Sequence, residues 1–499
     1  MTSSTTKSPY GIGTKLSYGF GAVAFGVKDN GFGALLLLFY NQALGLDARM
    51  AGLAIAIALV FDAFLDPFIG YASDHLHTRW GRRHPFMYLA AVPAAISYVF
   101  LFSPPTGLTE IGLFAYLMVF SILVRVFIAF FEIPNSALIV EFTQNYDERT
   151  SYLNWRLFFG WMAGLTMSVA AFGIFLSNGT NGIPGTQVPA NYQNYGIAAA
   201  ILMLVAMLAS ALGTHHTIPR LNRPSVLGIH GTPSNFLKDL KRALSSRSAV
   251  MNLLVGMFVM LSTSLLAGIT PYIYGYLFVL SPQQISIIYS ASFIAAFAAL
   301  ACTPWLSRRF EKRHAYIGVT IAAVFTIPLV AALKLMGLLP SVNSEVLMFL
   351  LFGVGMVGTT LLIIQGTLYY SMSADVIEEN EVRTGHREEG IFFAANIFIR
   401  KCATGLGVLL TSAMLSLVEF PEKAIPGSIS EPVIKLLVQF FTGAFILLNC
   451  ATILCVIAFK ITRARHDENL NILASRRGQN VSAPMAALNE KQEIIHKLS

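Results

Sequence analysis

Charge and cysteine are both scarce in this chain of 499 residues. Charged residues make up 12% of it, about half the share of an ordinary soluble domain, whereas 55% are hydrophobic. The chain also lacks the phosphate-binding pattern GxxxxGK followed by Ser or Thr, which argues against a nucleotide-driven pump. The four cysteines lie in apolar segments without the spacing of a metal site, so we predict that they are small core or lipid-facing residues: Cys302, Cys402, Cys450 and Cys455. We predict no enzymatic activity and no cofactor.

Long apolar runs dominate instead. Twelve of them are long enough to cross a bilayer as helices, and charged or proline- and glycine-rich breaks separate them. Their predicted bounds are 16–44, 50–72, 86–103, 110–141, 153–177, 194–213, 249–279, 283–303, 315–336, 345–372, 391–418 and 432–460. We therefore predict an all-α, multi-pass membrane protein with twelve transmembrane helices embedded in the lipid bilayer.

Positive charge is concentrated in alternate loops. The loops on the other side, such as 103–110 and 177–192, carry almost none. Because loops rich in lysine and arginine stay on the cytoplasmic side, we predict that both termini are cytoplasmic and that the protein lies in the cell (inner or plasma) membrane. These loops explain the net charge of +8, so we predict no nucleic-acid partner. The basic positions are Arg79, Arg82, Arg83, Arg149, Arg220, Arg223, Lys238, Lys241, Arg242, Arg308, Arg309, Lys312, Arg313, Arg383 and Arg387.

The longest loop, 214–248, divides the spans into two sets of six. We predict a cytoplasmic N-terminal segment (1–15), an N-terminal six-helix bundle (16–213), a central cytoplasmic loop (214–248), a C-terminal six-helix bundle (249–463) and a cytoplasmic tail (464–499). The tail is polar, and we predict that it is disordered. A short basic loop follows both the second and the eighth span, as expected for the duplicated halves of a secondary transporter.

Two aspartates interrupt the second apolar run. Asp62 and Asp66 are four residues apart, so on a helix both carboxylates lie on one face. A charge in hydrocarbon costs several kcal/mol, and such residues usually face a cavity and mark the path of an ion or substrate. We interpret the pair as a site for a coupling cation, either Na⁺ or a proton, since paired carboxylates suit both. The alternative is a purely structural pair held by a lysine.

Further charged residues lie within the predicted spans, and each has a structural alternative. Glu132 precedes a helix-loosening proline and is a candidate acceptor for substrate hydroxyls; the alternative is an ion pair with Arg125 two turns away. Arg156 either binds substrate oxygens or extends to the membrane surface. Lys401 either contacts substrate or is a counter-ion of the aspartate pair. For Lys28 and Asp29 the alternative is ion pairing between spans.

Several of these segments resemble one known family. Residues 61–70, Phe-Asp-Ala-Phe-Leu-Asp-Pro-Phe-Ile-Gly, and 78–86, Thr-Arg-Trp-Gly-Arg-Arg-His-Pro-Phe, resemble the glycoside–pentoside–hexuronide:cation symporters. This is the melibiose-permease group of the major facilitator superfamily. Shorter matches lie at 132–134, 155–159, 374–378 and 384–390. The resemblance covers almost the whole chain and implies a major facilitator fold in which cation and sugar share one central cavity.

The resemblance also implies roles for individual residues. The cation site falls on Asp62 and Asp66, and the sugar-contacting carboxylate of the fourth span falls on Glu132. The arginine of the fifth span falls on Arg156, and the lysine of the eleventh falls on Lys401. The remaining substrate candidates are Asn396, Lys28 and Asp29. Asn396 lies one turn before that lysine. Lys28 and Asp29 look like the acidic position of the family's first span, but they lie about one turn later in the sequence than that position.

The arginine-rich loop after the second span suggests a different role. We predict that Arg79, Arg82 and Arg83 form ion pairs between helix ends and control opening on the cytoplasmic side. Asp375, before the eleventh span, is predicted to play the matching part in the second half. We call these four residues the predicted cytoplasmic gate.

The substrate side departs from the melibiose-type pattern. The aromatic platform of galactoside-binding members is replaced by Ser136, and nearby polar positions are taken by Ile128 and Ala129. Arg125 and Arg400 are additional charges within the spans. We therefore predict a cation-coupled secondary transporter that moves a sugar- or glycoside-like small solute together with a monovalent cation. The alternatives are a transporter of the same fold for an amphipathic or lipid-like substrate, and a non-transporting membrane scaffold.

Overall fold

A computed structural model of the protein describes residues 10–76, 78–143, 145–177, 179, 183–218, 246–340, 344–385, 389–459 and 461–476. The predicted segments 1–15, 214–248 and 464–499 therefore fall largely outside the described residues. In the part that is described, every long element is a helix, and an isolated β-bridge joins Thr78 to Gly81 in a turn.

Twelve helices of the described chain are long and apolar enough to cross a membrane, which confirms the predicted number. They are α1 (Ile12–Leu44), α2 (Ala48–His75), α3 (His84–Leu101), α4 (Glu110–Phe142), α5 (Glu148–Phe175), α6 (Pro189–His215), α7 (Arg247–Leu277), α8 (Pro282–Arg309), α9 (Lys312–Leu335), α10 (Glu345–Thr384), α11 (Glu389–Leu417) and α12 (Glu431–Ala458). Several extend by a turn or more beyond the apolar runs, since their polar ends continue the helix outside the hydrocarbon.

Side-chain caps define where several helices begin. Asp47 accepts hydrogen bonds from the backbone amides of Arg49 and Met50 at 2.7 and 3.3 Å, so α2 starts directly after a tight turn. Ser281 and Gln284 form a reciprocal capping box at the start of α8. These caps satisfy amides that would otherwise lack a partner at the membrane surface.

The helices pack as two sets of six. In the first half, α2 and α3 pack on α4, α3 packs on α6, and α1 packs on α5 and α6. In the second half, α8 and α9 pack on α10, while α7 packs on α11 and α12. The halves meet where α2 crosses α11, α5 crosses α8 and α1 crosses α7. The charged residues Asp62, Asp66 and Lys401 lie where α2 crosses α11.

Small residues allow α2 and α11 to approach closely. A β-carbon at Gly52 of α2 would lie 2.0 Å from the hydroxyl of Ser412, and one at Gly405 of α11 would lie 3.3 Å from the β-carbon of Leu59. Larger side chains at Gly52 would therefore force the helices apart. Such small-residue crossings are typical of helix packing in membranes, where backbone proximity replaces the hydrophobic effect as the driving force.

The first and seventh helices each contain wider π-helical turns. In α1 they span Gly31–Leu35 and Phe39–Leu44. The first of them begins two residues after Asp29, which follows Lys28 in the chain. In α7 one spans Ile273–Leu277. A π-helical turn inserts an extra residue per turn and changes which side chains face the bundle interior, so such turns are common at functional sites.

The start of the polar tail is helical. The polar composition predicts disorder after Ala464, but up to residue 476, where the described part ends, the chain forms a further helix, α13 (Arg463–Arg476), which packs on α10. Arg465 lies 3.4 Å from Glu379, His466 lies 2.9 Å from Glu378, and Arg463 donates to the backbone carbonyl of Ser307 at 2.7 Å. The polar composition that suggested disorder instead supplies the charges that attach this helix to the second half.

Candidate functional site

Asp62 and Asp66 lie on the face of α2 that meets α4 and α11. Asp62 is buried, and the guanidinium of Arg125 on α4 lies 3.2 Å from one of its carboxylate oxygens. The spacing of four residues places Asp66 one turn further along the same face. Asp62 is therefore paired within the first half, by Arg125.

Lys401 joins the two aspartates across the interface between the halves. Its ammonium lies 3.1 Å from Asp62 and 2.5 Å from Asp66. The second oxygen of Asp66, Oδ1, is buried and has no hydrogen-bond partner among the described residues. Of the two alternatives for Lys401, the counter-ion arrangement is the one that the structure contains. A bridging lysine and an oxygen without a partner define a place where one cation can replace another.

Glu132 and Arg156 form a second pair beside the first. The guanidinium of Arg156 donates to Glu132 at 3.1 Å and to the side-chain oxygen of Asn135 at 3.3 Å. The alternative pairing of Glu132 with Arg125 is wrong, because Arg125 pairs with Asp62. The alternative for Arg156 is also wrong, because its side chain extends inward to Glu132 and not to the membrane surface. Helix α4 continues through Pro134 without a break. Glu132 keeps 28% of its side-chain surface exposed, so solute hydroxyls have access to it.

Lys28 and Asp29 pair with each other, at 2.9 Å, and not with a second span as the structural alternative supposed. The Lys28 side chain is buried, lies over the ring of Phe25 at 4.6 Å, and adds positive charge near Asp62. The Asp29 side chain is about half exposed and lines a cavity. Both residues lie at the end of an α-helical segment, directly before the first π-helical turn of α1.

Asn396 and Arg400 lie away from this cluster. Asn396 donates to the hydroxyl of Tyr369 on α10, and Arg400 donates to the hydroxyl of the next residue, Tyr370. Both contacts stay within the second half. The structure therefore separates Asn396 from Lys401, although the two are little more than one helical turn apart in sequence.

A cavity of about 600 Å³ lies between the halves. In the first half, Asp29 and Asn30 of α1 and Trp161 of α5 line it, and in the second half residues of α7, α8, α9, α10 and α12 do. Its size falls in the range of small-molecule sites, about 300–1,000 Å³. Sequence reasoning missed Asn30, Trp161 and Tyr274, because uncharged residues in apolar spans carry no signal that separates a cavity wall from a packed core.

The halves are joined at the end of the bundle opposite the arginine-rich loops. Tyr272 and Tyr276 of α7 donate to Asn41 and Gln42 of α1 at 3.1 and 2.9 Å, and all four side chains are buried. Gln42 also accepts from the backbone amide of Ala424 at 3.0 Å. These contacts close the cavity at that end. We call the end with the arginine-rich loops the basic end.

At the basic end, ion pairs form within each half. Arg82 and Arg83 both donate to Glu141 at the end of α4, and Arg83 lies 3.3 Å from Asp74. Asp375 accepts from Lys312 of α9 at 2.7 and 2.9 Å and lies 3.5 Å from His466 of α13. Arg79 lies over the ring of Trp80, at 5.4 Å. The predicted gate residues therefore stabilise the helix ends of their own halves in this conformation.

Two six-helix halves around a charged crevice that is closed at one end are the architecture of a secondary transporter. A sequence profile described as MFS/sugar transport protein matches residues 17–463. The chain belongs to this family, so it is a transporter of the plasma membrane and not an enzyme.

Relatives and solved structures agree with that assignment. A protein designated a glycoside/cation symporter, YagG of Escherichia coli (strain K12), is 25% identical over 95% of this chain and 97% of its own length. The isoprimeverose transporter of Lactiplantibacillus pentosus is 25% identical, over 81% of this chain and 79% of its own. A crystal structure of a D-xylose-proton symporter shares the fold, with a TM-score of 0.60 and 12% identity over 90% of this chain and 97% of that one.

Proposed function

We propose that this protein is a cation-coupled symporter that moves a sugar- or glycoside-like solute across the plasma membrane by alternating access. The observation that carries the proposal is the position of Lys401 of α11, within 3.1 Å of both Asp62 and Asp66 of α2. A cation that replaces this lysine changes a contact between the two halves. The energy of cation binding is thereby linked to the relative position of the halves.

The coupling cation exchanges at Asp66. Asp62 is already compensated by the guanidinium of Arg125, 3.2 Å away. Asp66 has Lys401 as its counter-ion and a free oxygen, so Na⁺ or a proton bound there releases the lysine. With Asp66 occupied, Lys401 keeps only its contact with the already compensated Asp62, so less energy is needed for the halves to rotate.

The solute binds beside the cation. Glu132, at one side of the crevice, accepts solute hydroxyls, and Arg156 orients it through the 3.1 Å ion pair. Asp29 and Asn30 offer further acceptor and amide groups at the polar end of the cavity. Asn396 acts indirectly in this scheme, by fixing the hydroxyl of Tyr369.

Arg82, Arg83 and Asp375 act as gate residues in the same cycle. They now form ion pairs within their own halves, and these helix ends come together when the basic end closes. Both termini are cytoplasmic in this proposal, so the conformation described here is closed toward the outside. A fluorescent protein fused to the C-terminus tests the orientation, since an externally added protease must leave it intact in sealed cells.

Uptake into proteoliposomes tests the function. We expect radiolabelled xylosides or glucosides to accumulate when a Na⁺ or a pH gradient is imposed, and to exchange without either gradient. A Na⁺ gradient at constant pH and a pH gradient without Na⁺ are applied separately, because each identifies one coupling ion. Neither accumulation nor exchange of any sugar in either gradient would contradict the proposal.

A further inference from the structure

A second cavity, of about 480 Å³, lies at the basic end, within the second half. The first turn of α7, the ends of α10 and α12, and the start of α13 form its wall, which shares no lining residue with the 600 Å³ cavity. Three arginines line it, Arg247, Arg383 and Arg465, against one carboxylate among the described residues, that of Glu379. The charge of this wall favours a negatively charged ligand.

The amino end of α7 adds backbone amides to the wall. Ser246 caps this helix, because its hydroxyl accepts from the amide of Ala249 at 2.9 Å and its carbonyl accepts from the amide of Val250 at 3.2 Å. The amides of Arg247 and Ser248, which line the cavity, come before these bonds and have no carbonyl partner within the helix. Such amides, at the positive end of the dipole of a long helix, bind anions.

Asn469 of α13 is an independent indication of a ligand that accepts hydrogen bonds. It lines the cavity, only 6% of its surface is exposed, and its amide nitrogen Nδ2 is buried without a hydrogen-bond partner among the described residues. A buried donor without an acceptor costs free energy, and an oxygen of a bound anion removes that cost. Arg465 lies four residues earlier, on the same face of α13, so both side chains can contact one ligand.

Glu379 restricts the kind of anion that fits. Arg465 lies 3.4 Å from one of its carboxylate oxygens, Oε1, and the other, Oε2, is buried without a hydrogen-bond partner in the described part of the chain. A carboxylate accepts hydrogen bonds and donates none, so an anion beside it must bring its own proton. Inorganic phosphate keeps a hydroxyl at pH 7, and a phosphate monoester keeps one in part, since its second pKa is about 6. Sulfate and phosphodiesters have none.

We propose that this cavity binds a phosphate group that carries a hydroxyl, and that the bound phosphate holds α13 against α7 and α10. The phosphate oxygens accept from the Asn469 amide, the first amides of α7 and the arginines, and the hydroxyl donates to Oε2 of Glu379. Two sources have this chemistry, dissolved inorganic phosphate and the monoester headgroup of phosphatidic acid. The site does not depend on the proposed sugar transport, because it lies outside the crevice between the halves.

The test uses the full-length protein at pH 7 in nanodiscs of phosphatidylcholine, a phosphodiester lipid without a free hydroxyl. Calorimetry measures the dissociation constants of inorganic phosphate and of sulfate, and mass spectrometry follows hydrogen exchange in residues 463–476. We expect phosphate to bind tighter than sulfate by about tenfold or more, the ratio that corresponds to one hydrogen bond to a charged group. Phosphate should also slow hydrogen exchange in α13, because it ties this helix to two others.

Asn469→Asp and Asn471→Asp are a matched pair on α13. Each adds one negative charge, but Asn471 is exposed and lies outside the cavity wall. Asn469→Asp replaces the amide donor by a second carboxylate and should weaken phosphate binding by about tenfold or more, whereas Asn471→Asp should keep the original affinity.

Glu379→Gln provides a gain that a misfolded protein could not show. The glutamine amide can donate to an anion that has no proton, whereas the carboxylate cannot. Sulfate should therefore bind to this variant as tightly as phosphate does.

Nanodiscs that contain phosphatidic acid identify the source of the phosphate. Slower exchange in residues 463–476 without added phosphate, together with weaker binding of inorganic phosphate, would assign the site to the lipid headgroup. An unchanged affinity for inorganic phosphate would assign it to the dissolved ion. The proposal would be overturned by equal affinities for phosphate and sulfate in the unsubstituted protein, by an equal loss in both asparagine variants, or by hydrogen exchange in α13 that neither phosphate source slows.

Discussion

The guanidinium of Arg125 lies 3.2 Å from the carboxylate of Asp62, and each side chain keeps less than 5% of its surface exposed. Two opposite charges have thus been withdrawn from solvent together, with the ring of Phe32 under the guanidinium at 4.3 Å. A buried pair is stable only while both partners are present, because the loss of one leaves an uncompensated charge in a medium of low polarity. This pair gives Asp62 a structural role that Asp66, one turn away, does not share.

Arg125→Gln should therefore destabilise the protein, by about 3–5 kcal/mol, the usual cost of breaking a buried ion pair. Asp62→Asn should cost a similar amount, because it leaves Arg125 without its anion. The double variant should recover much of the loss, since neither charge then remains. Unfolding of the purified protein, followed by tryptophan fluorescence in detergent, measures all three.

Arg400→Gln is the matched control for these two single variants and their combination. Arg400 also lies within a span, but it bonds the hydroxyl of Tyr370 instead of a carboxylate. We expect little loss of stability in this variant. If the double variant were no more stable than either single variant, the two residues would not be acting as a pair.

A second prediction concerns Asp66. Asp66→Asn keeps a hydrogen-bond acceptor for Lys401. It removes the negative charge for which Lys401 and the coupling cation compete. We expect exchange of internal for external sugar to continue, because exchange moves no net cation. Accumulation driven by an ion gradient should fall to background. Both are measured in the same proteoliposome preparation.

Asp74→Asn is the control for that experiment. Asp74 lies two turns further along α2 and pairs with Arg82 and Arg83 at the basic end, where half of its side-chain surface is exposed. It should retain gradient-driven accumulation. Unchanged accumulation in Asp66→Asn would remove that residue from the coupling site.

These residues also separate what the sequence could predict from what it could not. The count of twelve spans and the division into halves follow from runs of apolar residues, whose length the bilayer sets. The prediction that Asp62, Asp66 and Lys401 belong to the candidate site follows from the cost of placing a charge in hydrocarbon. Their partners depend on which faces of different helices meet, and no spacing within one helix determines that.

Glu132 illustrates the limit. Spacing on α4 places Arg125 within two turns of Glu132, yet each pairs with another helix, Arg125 with Asp62 and Glu132 with Arg156. Helix α13 was missed for a related reason, because its stability comes from contacts with α10 and not from its own composition. The cavity wall was missed because apolar residues look alike in sequence, whether they pack or face a ligand.

A third prediction concerns the solute site. Glu132→Gln should weaken solute affinity by about tenfold or more, since a hydrogen bond to a charged group is worth about 1.5–3 kcal/mol. The dependence of uptake on the cation gradient should persist. Affinity is measured as the concentration of methyl glycoside that gives half-maximal exchange.

Ser136→Ala provides the comparison on the same helix. Ser136 lies one turn beyond Glu132, and its hydroxyl donates to the backbone carbonyl of Ile133 at 2.8 Å. We expect this variant to keep the original affinity. An equal loss of affinity in both variants would point to a general distortion of α4, and an unchanged affinity in Glu132→Gln would exclude that residue from the solute site.

The last prediction concerns closure at the end opposite the arginine-rich loops. Tyr272→Phe combined with Tyr276→Phe removes two hydrogen bonds between α7 and α1, to Asn41 and Gln42. Because each neutral hydrogen bond contributes about 1 kcal/mol, the population open at that end should increase by about tenfold or more. A cysteine introduced as Ser412→Cys reports this opening, since Ser412 is buried against Gly52 of α2.

The readout is the rate at which an impermeant maleimide, added to intact cells, labels that cysteine in a variant whose four native cysteines are replaced. Tyr192→Phe is the control, because the Tyr192 hydroxyl donates to the carbonyl of Thr186 within the first half, at 2.8 Å. It should leave the labelling rate unchanged. Added methyl glycoside and cation should raise the rate in the parent protein, since a transporter must open this end during its cycle. Labelling at the same slow rate in every variant would mean that α1 and α7 do not separate there, and alternating access through this closure would be wrong.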